Sequence, residues 1–550
     1  MSADQIERTA RDAFGFDALR PGQREAVEAL LAGHDTLAVL ASGAGKSAIY
    51  QIAALLIDGP TLVISPLIAL QQDQSDAIER RLPGEAAPLN SRLGEAARRR
   101  TLKRLQEGEV EFLFLAPEQL ANEEVRAELA LMQPSLVVVD EAHCISEWGH
   151  DFRPDYLRIG PLVEQLGHPT TLALTATAAP PVRREIAERL RLREPVEIVR
   201  GFDRPEIRLA VERHHDERRK QAALLEHVAR LEKPGIVYCA TRRAADECAA
   251  ELVEAGVQAA AYHAGHATAE RDEVQRRFME GELDVVVATT AFGMGVDTPH
   301  VRFVLHQAVS ESLDSYYQEI GRAARDRQPA EAILLYRPED LGTRKFLRGA
   351  GPLTPADLDR VARAVADAGA PVSPDTLREA LAMSRSKLTA AVTRLEDAGE
   401  LAVRADGSVA RAPGAPPVDD AVAAAVDADE QRETFAESRL AMMRGYAETD
   451  GCRRRFLLSY FGEQAPERCG NCDVCERLDA QGDDDELAAE PRHEEAADRF
   501  PPGCRVRHHE WGAGEVQRVD GDHLIVLFDD VGYKTLGAEI VAARHLLERL

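Results

Sequence analysis

Cysteine, aromatic side chains and positive charge are all scarce in this chain of 550 residues. Eight cysteines are too few for a disulfide scaffold, and no stretch is apolar enough to span a bilayer. The opening MSADQIERTARDAFGFDALR has neither an apolar core nor the basic-then-apolar order of a secretory leader. The expected location is therefore the cytoplasm, with no membrane partner. Lys and Arg number 67 against 94 Asp and Glu, and a formal charge of −27 argues against coating nucleic acid by bulk electrostatics. Segregation offsets that shortage: Arg242, Arg243, Arg322, Arg325, Arg453, Arg454 and Arg455 fall in local clusters, while acids concentrate around 482–486.

What is present is apolar material for several packed units, 45% of the chain. Over 1–200, β-branched runs (TLAVL at 36–40, TLVIS at 61–65, EFLFLA at 111–116, LVVVD at 136–140, TLALTA at 171–176) alternate with helical patterns. The same alternation returns over 201–350, so two α/β lobes with parallel sheets are expected. Residues 351–411 read as three helices and a hairpin turning at Asp406-Gly407, a winged-helix-like module. A plain helical spacer fits that pattern too. Leu388, Val392 and Leu395 form the buried face of a helix over 384–396, which leaves Arg385 and Arg394 for phosphate. Residues 412–476 lead into a cysteine cluster, 477–498 read as an acidic linker, and 499–550 as a small β-barrel.

LASGAGKSAIYQ follows a strand and opens a helix, the place where backbone amides face a phosphate. Gly43 and Gly45 admit the anion without a Cβ clash, Lys46 meets the β/γ-phosphates, and Ser47 ligates Mg²⁺. The strand LVVVD ends in Asp140 and Glu141 at the carboxyl edge of the sheet. Asp140 is expected to hold Mg²⁺ and Glu141 to orient or deprotonate the attacking water, a division that phosphoryl transfer requires. CRRRFLLSYFGEQAPERCGNCDVC supplies Cys452, Cys469, Cys472 and Cys475, four thiolates suited to a closed, structural Zn²⁺ site. A disulfide pair or an iron–sulfur cluster would use the same residues.

LRPGQ at 19–23, SPLIAL at 65–70, TAT at 175–177, AYHAG at 261–265, TTAFGMGVD at 289–297, YYQEIGRAARD at 316–326 and, most specifically, DEAHCISEWGHDFRPDY at 140–156 together resemble the RecQ family of superfamily 2 DNA helicases. The resemblance implies two RecA-like lobes, ATP and Mg²⁺ as cofactors, and 3′-to-5′ translocation on single-stranded DNA with unwinding of branched or duplex junctions in recombination and repair. It implies that Gln23 reads adenine, that Arg322 and Arg325 reach the γ-phosphate from the second lobe, and that Gln318 helps close the cleft. Both arginines are expected three apart on one helical side. Ala324 stands where the family carries glycine and adds one methyl group. Trp148, Phe152 and Arg153 are expected to stack on unpaired bases. The cysteine spacing is similar to the RecQ zinc subdomain, although the winged-helix-like module here precedes it. The tail is similar to the Tudor-like barrel of UvrD-type helicases, which implies a protein partner, with Trp511, His508 and His509 as a docking patch. Adjacent His508 and His509 are expected on opposite strand faces. A monomer is expected. An RNA helicase, or a DNA- or polymerase-binding regulator with little motor activity, remain the alternative readings.

Overall fold

Runs such as LVVV at 136–139 and VVVA at 285–288 offer no polar face to water, so they are stable only inside a sheet covered on both sides. The computed structural model describes residues 3–41, 43–66, 68–89, 95–146, 152–290, 292, 298, 300–342, 353–404, 407–463, 465–481, 499–520 and 523–550. It contains two such sheets. The first comprises β1 (Thr36–Leu40), β2 (Thr61–Ile64), β3 (Ala86–Leu89), β4 (Phe112–Leu115), β5 (Leu136–Val139), β6 (Thr170–Thr175) and β7 (Val196–Arg200). Their order is β3-β4-β2-β5-β6-β1-β7, parallel throughout. The second comprises β8 (Ile207–Arg213), β9 (Gly235–Tyr238), β10 (Ala259–Tyr262), β11 (Val285–Ala288), β12 (Phe303–His306) and β13 (Ala330–Tyr336), in the parallel order β10-β11-β9-β12-β13-β8. The strands that escape the sequence pattern, β3, β7 and β8, all lie at sheet edges. AAPL has no β-branched residue, and VEIVR turns much of its surface to solvent.

Helices Pro355–Ala368, Pro374–Leu381 and Arg385–Asp397 and the antiparallel hairpin β14 (Leu401–Val403) and β15 (Val409–Arg411) follow. Ser384 caps the third helix, and Leu388, Val392 and Leu395 are buried on its inner face as expected. This region has a core of its own. A helix of 31 residues, Val418–Glu448, then runs about 46 Å along the molecule. Helices Arg453–Tyr460 and Asp473–Gln481 frame the cysteines. The chain ends in β16 (Arg505–His508), β17 (Gly512–Asp520), β18 (His523–Phe528), β19 (Gly532–Gly537) and β20 (Leu547–Arg549), an antiparallel sheet ordered β19-β18-β17-β16-β20. A bulge between Val516 and Arg518 bends it.

One contiguous hydrophobic cluster joins the inner faces of both lobes to the cysteine region and to Tyr533 of the last sheet. No helix among the described residues is long and apolar enough to cross a membrane.

Candidate nucleotide and nucleic-acid site

Strands β5, β6 and β1 are neighbours, so the loops leaving their carboxyl ends share one edge of the first lobe. The loop after β1 brings Lys46, whose Nζ lies 3.3 Å from the carbonyl of Leu40. Gly43 and Gly45 have φ of +77° and +76°, a left-handed backbone that keeps the loop open for an anion. Gln23 Nε2 donates to the carbonyls of Ala44 (2.9 Å) and Gly45 (2.8 Å), and Arg20 donates to that of Gly43. LRPGQ thus braces the phosphate loop. Arg20 is a contact that sequence reasoning missed inside a motif it had marked.

The loop after β5 brings Asp140 and Glu141. Burial pushes the Asp140 carboxyl up to about 7, Glu141 adds to that and Lys46 opposes it. Burial also lowers Lys46, against the pull of Glu141 and Asp140. Burial and the neighbouring Glu141 disfavour the charged carboxylate, and a divalent ion arriving with a nucleotide would favour it. The residues therefore fit ATP with Mg²⁺. Ser65 Oγ lies 3.5 Å from Asp140 Oδ2, and Tyr156 Oη donates to the Asp140 carbonyl at 2.8 Å. His143 Nδ1 sits 2.9 Å from Thr175 Oγ1 at the end of β6 and 3.3 Å from Glu141 Oε2. Burial, with Lys46, Arg153 and Arg439 nearby, lowers His143 to about 3, so the imidazole is neutral and its contact with Glu141 is not an ion pair.

From the second lobe, helix Leu313–Ile320 carries Gln318, whose Nε2 donates to Thr177 Oγ1 of the first lobe at 3.1 Å. Arg322 and Arg325 are not on a helical face: the helix stops at Gly321, and the arginines lie in the turns that follow. Ala324 between them has φ +55° and donates its N–H to the Val301 carbonyl at 3.0 Å. That conformation splits the pair. Arg325 comes against the phosphate loop, its Cγ 3.7 Å from where a Cβ on Gly43 would stand. Arg322 instead hydrogen-bonds Tyr238 at the end of β9, opposing the burial that pushes that phenol up to about 12.

Trp148 lies outside the described residues. Phe152 is half-buried, and Arg153 turns back toward the cleft, its Nη1 3.3 Å from the Pro66 carbonyl. Several arginines expected to meet phosphate are otherwise engaged. Arg453 and Arg454 are buried, Arg453 paired with Asp473 at 3.0 Å and Arg454 with Asp203 at 3.3 Å. Arg394 pairs with Asp429 of the long helix at 2.8 Å, whereas Arg385 is exposed. Partners distant in sequence took these side chains, which no local pattern could reveal.

Cys452, Cys469, Cys472 and Cys475 place their sulfurs within 4.8 Å of one another, and none is in a disulfide. Cys469 Sγ and Cys475 Sγ are 4.0 Å apart, close to the roughly 3.8 Å between sulfurs around a tetrahedral Zn²⁺. The four thiols hydrogen-bond among themselves, so proton sharing within the cluster favours a thiolate at one position at the expense of the others, and a bound cation would favour all four. The cluster fits Zn²⁺. Cys472 also bridges to Leu209 on β8, so the metal loop covers an otherwise open sheet edge.

In the last sheet, His508 is 3% exposed and its ring stacks on Trp511 at 4.1 Å, so the two belong to packing more than to a docking patch. His508 and His509 are not on opposite faces: the strand ends at His508, the chain turns, and their rings stack at 4.5 Å.

The geometry is that of a two-lobed nucleotide-driven motor, and the comparisons agree. The first lobe matches the DEAD/DEAH box helicase model over 20–185, the second the helicase conserved C-terminal domain over 219–327, and the cysteine region the RecQ zinc-binding model over 418–476. The probable ATP-dependent DNA helicase RecS of Bacillus subtilis (strain 168) is 41% identical over 337 residues, 61% of this chain and 68% of that protein. The ATP-dependent DNA helicase RecQ of Pasteurella multocida (strain Pm70) is 35% identical over 86% of this chain, which spans 62% of that protein's length. The chain belongs to the RecQ family of ATP-dependent DNA helicases. Among solved structures, the DUF1998 helicase MrfA bound to DNA shares the fold at a TM-score of 0.52 and 17% identity, covering 76% of this chain and 64% of that one.

Proposed function

We propose that this chain is an ATP-driven DNA helicase that moves 3′-to-5′ on single-stranded DNA and opens duplex or branched junctions in recombination and repair. The observation that carries the reading is the convergence of two lobes on one cleft: Lys46 and Asp140 from the first, Arg325 from the second, with Gln318 bonded across the gap. In this reading Gly43, Gly45 and Lys46 bind phosphates, and Gln23 braces that loop and contacts adenine. Ser47 and Asp140 hold Mg²⁺, which would neutralise charge building on the phosphate oxygens. Glu141 orients the attacking water, and neutral His143 sits between Glu141 and Thr175 at the end of β6. Arg325 completes the site only when the lobes meet, which ties hydrolysis to movement. Arg322 supports it from Tyr238. Trp148, Phe152 and Arg153 contact bases.

The division into lobes over 1–200 and 201–350, a winged-helix-like module over 351–411, a zinc subdomain over 412–476, a linker over 477–498 and a Tudor-like barrel over 499–550 belongs to the same proposal. So do a monomeric state, a protein partner for the barrel and a cytoplasmic location, which a DNA substrate supports.

The test is ATP hydrolysis by wild type and Lys46→Ala without polymer, with single-stranded DNA and with single-stranded RNA at matched salt. DNA-specific stimulation lost in Lys46→Ala is expected, a fall of at least about 100-fold in stimulated kcat. Stimulation by RNA alone, or none at all, would overturn it.

A further inference from the structure

The C-terminal sheet is not tethered at a distance from the motor; it is seated on it. Strand β19 lies directly on the long helix Val418–Glu448, so closely that a Cβ on Gly532 would stand 2.8 Å from the ring of Phe435. The next residue, Tyr533, is 4% exposed, and its ring stacks on Tyr460 at 5.2 Å and 29°. Arg518 of β17 lies over the Phe456 ring at 4.1 Å and gives the sheet a second anchor on the same helix, Arg453–Tyr460.

The contact leads onward to the cleft. Tyr460 Oη donates to Asp314 Oδ2 at 2.6 Å, and Arg439 of the long helix donates to the same oxygen at 3.2 Å and to Ser312 Oγ at 2.7 Å. Ser312 caps the helix Leu313–Ile320, and Asp314 is in its first turn. Eight residues span about 12 Å; the last turn carries Gln318 to Thr177 of the first lobe, and the chain beyond it brings Arg325 to the phosphate loop. Asp314 is 3% exposed, so its two donors act in a medium that screens them little. Because most of this short helix is buried, with Tyr317 Oη donating to the Phe202 carbonyl at 2.8 Å, a shift of its first turn is passed to its last.

The other side of the sheet is held differently. It meets the first lobe through Arg184 and Asp529, 3.4 Å apart and partly exposed, and through Arg183, which lies near Tyr533 and Glu515. Beside them is a cleft of about 690 Å³ lined by Arg184, Glu185, Glu188, Arg189, Arg505 and Asp529. An exposed pair contributes little, roughly 0–1 kcal/mol. The sheet is seated on the helices behind the arginine segment and also touches the first lobe through these arginines.

We propose that the C-terminal sheet is a working part of the motor, in which Tyr533 is a positioning residue that holds Tyr460 on Asp314 and so aims the helix that launches Arg325. This rests on the ATPase reading of the cleft. Aim matters most where charge develops, so the sheet sets the rate of hydrolysis more than the affinity for nucleotide.

The experiment is steady-state ATP hydrolysis, with saturating single-stranded DNA, by full-length wild type, Tyr533→Ala, Tyr533→Phe, Tyr460→Phe and the double variant Tyr460→Phe/Tyr533→Ala. Tyr533→Ala is expected to lower kcat roughly 3- to 10-fold with KM for ATP within about twofold, and Tyr533→Phe, which keeps the ring, to restore most of it. The double variant is expected to be no slower than Tyr533→Ala, because both changes act on one contact. An unchanged kcat in Tyr533→Ala, no recovery in Tyr533→Phe, or additive losses in the double variant would each overturn the inference. If Tyr533→Ala fails to fold, Tyr460→Phe decides: it removes one hydroxyl, and an unchanged kcat counts against the relay. A wild type without DNA-stimulated hydrolysis would instead overturn the motor reading, a distinguishable result.

Discussion

Ala324 puts a methyl group where the backbone asks for none. A left-handed conformation costs an L-residue about 1 kcal/mol relative to glycine, and Ala324 is also fully buried, so the strain cannot be relieved by drifting toward solvent. The sequence marks this position only as a departure from a family pattern. Its φ supplies the reason for the pattern: the chain must reverse here so that Arg325 turns to the phosphate loop while Arg322 stays on Tyr238. Ala324→Gly is expected to raise the thermal midpoint through about 0.5–1 kcal/mol of relieved strain, less what the freer unfolded chain gives back. Thermal melts of the two proteins check this. A lower midpoint would mean that packing of the methyl outweighs the strain.

At the scale of elements, the zinc loop is the clearest case of a local pattern with a distant consequence. Two CxxC steps and an upstream cysteine are legible because a tetrahedral ion needs ligands on a tight turn. That the loop also closes the edge of β8 is not legible, since the bridge from Cys472 to Leu209 spans two units of the chain. Freshly purified protein is expected to hold one zinc per chain by metal analysis, and Cys475→Ser to lose it. In that variant amide exchange is expected to accelerate at β8, where the Leu209 N–H meets the Asn471 carbonyl at 3.4 Å. Full zinc loss with β8 protection unchanged would show that the edge is held by the ion pair of Arg208 with Glu476 instead. The arginine clusters teach the converse. Arg453 and Arg454 look in sequence like a basic patch beside the cysteines, and burial with Asp473 and Asp203 removes them from any phosphate.

At the scale of the whole molecule, one continuous core links both lobes, the zinc loop and the last sheet, and polar contacts cross the cleft beside it. The bond from Gln318 to Thr177 is one of them. Gln318→Ala is expected to lower DNA-stimulated kcat roughly 10-fold while the affinity for single-stranded DNA stays within about twofold, measured by fluorescence anisotropy at fixed salt. Equal losses in both would place Gln318 in DNA binding and not in closure.

What the sequence determined by itself is whatever chemistry needs neighbours in the chain: a phosphate loop between strand and helix, paired carboxylates ending a strand, cysteines on a tight turn, and buried runs that can only be inner strands. Those patterns are local because a strand–loop–helix or a metal turn is built within about a dozen residues. Only the tertiary structure decided which of two arginines meets the phosphate loop, which basic residues are spent in buried pairs, that His508 is packed under Trp511, and that the last sheet rests on the helix behind Arg325. Most of those depend on groups brought together from separate elements of the chain, or on a single backbone angle, and the energy that selects them comes from burial shared among those elements, which leaves no period or spacing in the sequence.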